Sequence, residues 1–135
     1  MNHVRSIKNT PSTPLSIGEL VDKITILEIK KQNINDLNKL KNVKFELDTL
    51  NGIFNKLNVK NKISNEFNSL REINKKLWII EDDIRDEERN SNFGLNFIDL
   101  ARSVYKTNDK RAEIKKIINL KTNSGLIEEK SYQSY

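Results

Sequence analysis

LWIIEDDIRDEERN, residues 77–90, holds the only tryptophan and the densest run of charge in the chain. Leading into and through it, Ile63, Phe67, Leu70, Ile73, Leu77, Ile80 and Ile84 recur at steps of three and four, the core stripe of a long amphipathic helix. Asn74, Trp78, Glu81, Arg85 and Glu88 form a second stripe beside it, so one flank carries an indole, an amide, carboxylates and a guanidinium in line. The fold expected around this stretch is all-α: a helical bundle with a long antiparallel hairpin and two shorter C-terminal helices.

Outward from that centre the helices fall at 16–34, 37–58, 64–90, 95–106 and 108–120, with no alternating strand pattern and no repeats. Pro11 and Pro14 delay the first helix, and Ser16 with Glu19 reads as a capping box. On that helix Ile17, Leu20, Val21, Ile24 and Leu27 share one sector with Glu28 and Lys31, while Ile26 and Ile29 project from the other side. Two apolar faces point to a central position or to a contact with a second copy. Asp36 caps helix two, where Leu40, Val43, Leu47, Leu50, Phe54 and Leu57 form a coiled-coil-like seam interrupted only by Gly52. A short turn at 58–62 should pair helices two and three antiparallel. Gly94 supplies freedom to the loop at 91–96. Thr107 and Asn108 are expected to end helix four and cap helix five, which places Arg111 near a helix start suited to an anion. The organisation reads as a flexible N-terminal arm, 1–15, a helical domain, 16–122, and a tail, 123–135.

Composition narrows the function classes. With no cysteine and a lone His3, thiolate and histidine-rich metal sites are excluded, and no apolar run is long enough for a membrane helix. Nothing resembles a signal peptide, so the expected setting is the cytoplasm. The net charge of +5 and pI near 9.4 favour nucleic acid less than they suggest. Eighteen Lys against six Arg, with 19 Asn and 17 Ile, is the stamp of an AT-rich genome. The charge is also patchy: residues 30–62 hold eight Lys against three acids, and 79–90 hold six acids against two Arg.

The runs SIGELVDKITILEIK (16–30), LWIIEDDIRDEE (77–88), FIDLARSVYKTNDKRAEIKKIIN (97–119) and EEKSY (128–132) resemble a family of short helical proteins of unknown function from bacteria, marine ones included, and their phages. The resemblance implies a stand-alone helical domain and carries no catalytic residues with it.

Glu28, Trp78, Glu81, Arg85, Arg102 and Arg111 are the candidate ligand-binding residues. Glu28, drawn toward the core, would need a cationic partner, and Arg85 or Arg111 fits that need. The bland alternatives are an intrahelical Glu81–Arg85–Glu88 ladder, a snorkelling Glu28 and a core Trp78. The leading function is a binding or assembly module, self-associating or docking a protein partner, with a small anionic ligand as a further expectation. A second reading is a metal-dependent phosphohydrolase on nucleotides or related phosphates. Glu19 with Asp22, and Glu81 with its acidic neighbours, resemble the paired acidic helices of all-helical nucleotide pyrophosphohydrolases, although the acids near Glu81 run EDDxxDEE and lack the second ExxD element. A third is a metal-free mutase-type enzyme holding a dicarboxylate with Arg85, Arg102 and Arg111. No cofactor is indicated.

Overall fold

A computed structural model describes residues 6–135; Met1 to Arg5, His3 among them, lie outside the described residues. The described residues form α1 (Ile17–Asn33), α2 (Leu37–Leu57), one 3-10 turn (Lys60–Lys62), α3 (Ser64–Arg89) and α4 (Leu95–Lys121), with no strand among them. The bundle is all-α, as the periodicity requires.

One helix, α1, sits against all three others. Glu19 and Asp22 meet Lys115 and Arg111 on α4, whereas Thr25 and Glu28 meet Asn74 and Arg71 on α3. The helix therefore crosses from α4 to α3. Ile29 is buried and Ile26 half-buried, so its second apolar face is covered within the chain rather than presented to a second copy. Leu20, Val21, Ile24 and Leu27 join Phe67, Leu70 and Ile118 in the core, and Val43, Leu47 and Phe54 of α2 close it.

The close pairing expected between the second and third helices is not found. Helix α2 lies along α1, and it meets α3 through Phe54 and Phe67, whose rings stand 5.7 Å apart. The reason is geometric: the 3-10 turn, with left-handed Asn58 before it, lets α3 leave at an angle while the seam of α2 is used up on α1. The long hairpin is α3–α4 instead. Lys121 at its end pairs with Glu66 at its start, so the two run antiparallel for about 40 Å.

Two expected breaks also differ. Helix α4 is continuous through Thr107 and Asn108, because Thr107 is 3% exposed and its packing outweighs propensity deficits of about 0.7 kcal/mol or less per residue. In the loop before it Gly94 keeps a negative φ, and Ser91, at φ 54°, takes the left-handed position instead.

Candidate functional site

The site grows from the amino end of α1. Ser16 Oγ accepts from the Glu19 N–H at 3.0 Å, as the capping box predicts, but the Glu19 carboxylate turns to Lys115 on α4. The remaining free N–H groups find partners from the far end of the chain: Ile17 donates to Ser124 Oγ at 3.1 Å and Gly18 to Asn119 Oδ1 at 2.6 Å. The Ser16 hydroxyl donates to Glu128 at 2.6 Å. Close approach is possible because position 18 is glycine: a Cβ there would stand 2.4 Å from the Lys115 carbonyl oxygen.

One turn further along the same face is Asp22, 1% exposed. Arg111 grips its carboxylate with Nε at 2.8 Å and with its terminal nitrogen. Asn74 of α3 donates to the same carboxylate at 3.0 Å and to Thr25 Oγ1 at 2.9 Å, and Thr25 donates to the Asp22 carbonyl at 2.8 Å. Three helices are pinned at one point. The hydrogen bond to Asp22 raises the Arg111 pKa, against the opposing effect of burial, and attraction by Asp22 and Glu19 adds to the rise. The guanidinium is a fixed cation.

Arg111 is thus not near a helix start, so the helix-start argument for an anion site there fails. Its exposed edge, however, lines an open groove of about 430 Å³ together with Trp78, Glu81, Arg85, Asn108 and Ile26. Four of the six candidate residues, Trp78, Glu81, Arg85 and Arg111, converge there. Within it Arg85 forms the intrahelical pair with Glu81, bonding its carboxylate and, at 3.0 Å, its carbonyl. Glu28 does not join them. Its partner is Arg71, at 2.8 Å, because α1 reaches the start of α3 by the time it arrives at Glu28 and Arg85 lies on the far half of α3. Arg71 also sits over the Phe67 ring at 5.0 Å. Arg102 is exposed on α4, away from both groups. Sequence reasoning missed Asn74 as a core hydrogen-bonder, and Arg71 entirely. The signal for the node was Gly18, Asp22 and Thr25 at i, i+4 and i+7, a small and polar stripe on a helix otherwise built of Ile and Leu.

No three His, Cys, Asp or Glu groups among the described residues come together in a way that could hold a metal. Glu19 and Asp22, one of the acidic pairs behind the metal-dependent reading, are each engaged by a cation of α4.

The match to known families decides what kind of chain this is: residues 12–135 fit the family described as a family of unknown function (DUF6165). The chain belongs to that family. No curated protein and no solved structure matches it. The DUF6165 match runs through residue 135, so it includes the tail, which the structure shows docked on α4. Lys130 pairs with Asp109 at 3.0 Å, the Tyr135 hydroxyl donates to the same carboxylate at 2.8 Å, and Lys116 pairs with Glu129 at 2.8 Å.

This docking makes a pH prediction. Hydrogen bonds from Lys130 and then Tyr135 hold the Asp109 pKa below its ordinary value, and the bond to Asp109 holds the Tyr135 phenol above its own. A lowered carboxyl adds stability above its ordinary pKa, about 3.9, and loses it as pH falls through the lowered value. A raised phenol adds stability below about 10 and loses it as pH rises through the raised value. The DUF6165 tail should therefore stay docked across the neutral range and loosen at both extremes. Ultraviolet titration should reveal a late-ionising phenol that Tyr135→Phe removes. A Tyr135 phenol ionising at the ordinary value would show that the tail does not dock.

Proposed function

We propose that the protein is an assembly module whose distal α3–α4 hairpin packs on a second copy of the chain. The observation that supports this is a burial pattern. From Glu81 to Lys106 no residue is buried: Ile84, Leu100 and Val104 are half-covered, and Phe93, Leu95 and Ile98 are exposed, Leu95 at 81%. Two helices alone leave such a seam wet, and apolar surface gathered at a hairpin tip is a signature of a docking face.

Charge favours a second copy as the occupant. The distal part of α3 carries Glu81, Asp82, Asp83, Asp86, Glu87 and Glu88 against Arg85 and Arg89, whereas α2 offers Lys39, Lys41, Lys44 and Lys56 against Glu46 and Asp48. Exposed Leu37, Ile53 and Leu57 interleave with those lysines. A reciprocal pair, each hairpin on the partner's α2, satisfies both surfaces about one two-fold axis. The setting is read as the cytoplasm, the default for a sequence with no recognised export signal, and the source as bacterial or phage, as the resemblance implies.

Light scattering at micromolar concentration and low salt should give twice 15.8 kDa. Leu95→Glu combined with Ile98→Glu should return the mass to 15.8 kDa without loss of helicity, and rising salt should weaken the wild-type pair. A wild type that stays monomeric, or a double variant that stays dimeric, overturns the reading.

A further inference from the structure

Between α4 and the docked tail lies a cleft of about 570 Å³ that shares Arg111 and Asn108 with the Trp78 groove and is otherwise lined by different residues. We infer that this cleft binds a small molecule carrying one flat ring and one phosphate, of the mononucleotide class.

The lining supplies both halves of that recognition. Tyr105 comes from α4, and Tyr132 and Tyr135 come from the tail, so three phenol rings border one space. Tyr105 and Tyr135 already meet edge to face at 5.3 Å, and Lys130 sits over the Tyr132 ring at 5.2 Å. These are surfaces on which a planar ring stacks. Arg111, Lys115 and Lys130 border the same space and Asp109 is the one acid among its lining residues. The Asp109 charge is taken up by Lys130 and Tyr135, which it ties down as a wall.

Two of the cations are held from behind. Asp22 grips Arg111 and Glu19 grips Lys115, and neither acid lines the cleft. An ammonium has three N–H donors and a guanidinium five, so each retains donors beyond those its carboxylate takes. Cations fixed in this way lose little side-chain freedom when a phosphate arrives. The volume lies within the range of about 300–1,000 Å³ typical of small-ligand pockets. A nucleic-acid strand fits less well, because it needs cations along a track and the neighbouring hairpin is acidic.

Isothermal titration of the full chain with AMP, ribose 5-phosphate, adenosine and a single-stranded pentanucleotide tests the assignment, with monomer and dimer samples treated alike so that the outcome is separate from assembly. AMP should bind, and each half-molecule should bind about tenfold or more weakly, because stacking and phosphate contacts each contribute. Lys115→Gln should weaken AMP about tenfold. Because Lys115 also joins α1 to α4, Tyr132→Ala is the companion variant: this side chain is 82% exposed, and its loss should weaken AMP at unchanged thermal stability. The inference falls if AMP gives no heat and no NMR shift at millimolar concentration, or if neither variant changes its affinity. It falls equally if ribose 5-phosphate binds as tightly as AMP, or if the pentanucleotide binds more tightly.

Discussion

Arg111→Ala is expected to cost about 3–5 kcal/mol of stability, as much as truncating a core aromatic, because it strands a carboxylate in the core. Asp22 is 1% exposed, and without the guanidinium its remaining side-chain donor is the Asn74 amide. Typical domains hold about 5–15 kcal/mol in all, so a loss of this size populates the unfolded state appreciably. Urea denaturation followed by circular dichroism measures it. The double change Asp22→Leu with Arg111→Met should recover most of the loss, since a packed apolar pair of similar bulk leaves no buried charge. By contrast Arg85→Ala, which breaks the exposed pair with Glu81, should shift stability by no more than about 1 kcal/mol. An Arg111→Ala protein as stable as the Arg85→Ala protein would mean that the node is wet and that Asp22 reaches water.

The second large effect is expected at Gly18. Alanine there would place its Cβ 2.4 Å from the Lys115 carbonyl oxygen and 2.9 Å from Asn119 Oδ1, and the first of these is backbone that cannot swing aside. Helix α1 must then lift from α4, stretching the Gly18 N–H bond to Asn119 as it does. We expect a loss of about 1–3 kcal/mol from overpacking, with part of the Asn119 cap lost as well. Gly52→Ala is the control. Nothing lies within 4 Å of a Cβ at that position, which is an exposed helix interior, so alanine should stabilise by about 0.5–1 kcal/mol. If Gly18→Ala behaves like Gly52→Ala, the contact between α1 and α4 is looser than described.

These two sites show where the sequence was legible. Periodicity located the helices because each buries one stripe: Val43, Leu47 and Phe54 on α2, and Phe67 and Leu70 on α3, are core residues as the spacing demanded. The caps at Ser16 and Asp36 were equally readable, being local chemistry written within four residues. Which helices pair was not, since the seam of α2 is equally suited to α1 or α3 and only the exit angle after Asn58 chooses. Thr107 and Asn108 read as a break because a weak helix former carries no sign of what will cover it. Glu28 was correctly given a cationic partner but the wrong one, for helical angle fixes the face of a side chain and not its height along a crossing helix. Of the candidate residues, Trp78, Glu81, Arg85 and Arg111 do share a groove, while the acid that fixes Arg111 could be named only once α1 was seen to cross between the other two.

The capping of α1 has a consequence for the order in which the chain can fold. Gly18 waits for an acceptor 101 residues downstream, Ile17 for one 107 downstream and the Ser16 hydroxyl for one 112 downstream. At roughly 5–20 residues per second, a ribosome delivers those partners about 5–20 s after the helix they complete. During that interval α1 and α2 can associate, but Val21 and Ile24 lack Ile118, and the first turn of α1 frays. Contacts between groups so far apart in sequence raise the contact order and slow the search for the native state relative to a bundle held by neighbouring-helix contacts alone. The first helix made is therefore the last to be finished, and a nascent chain stalled before residue 119 presents the apolar face of α1 to whatever chaperone or second nascent chain is near.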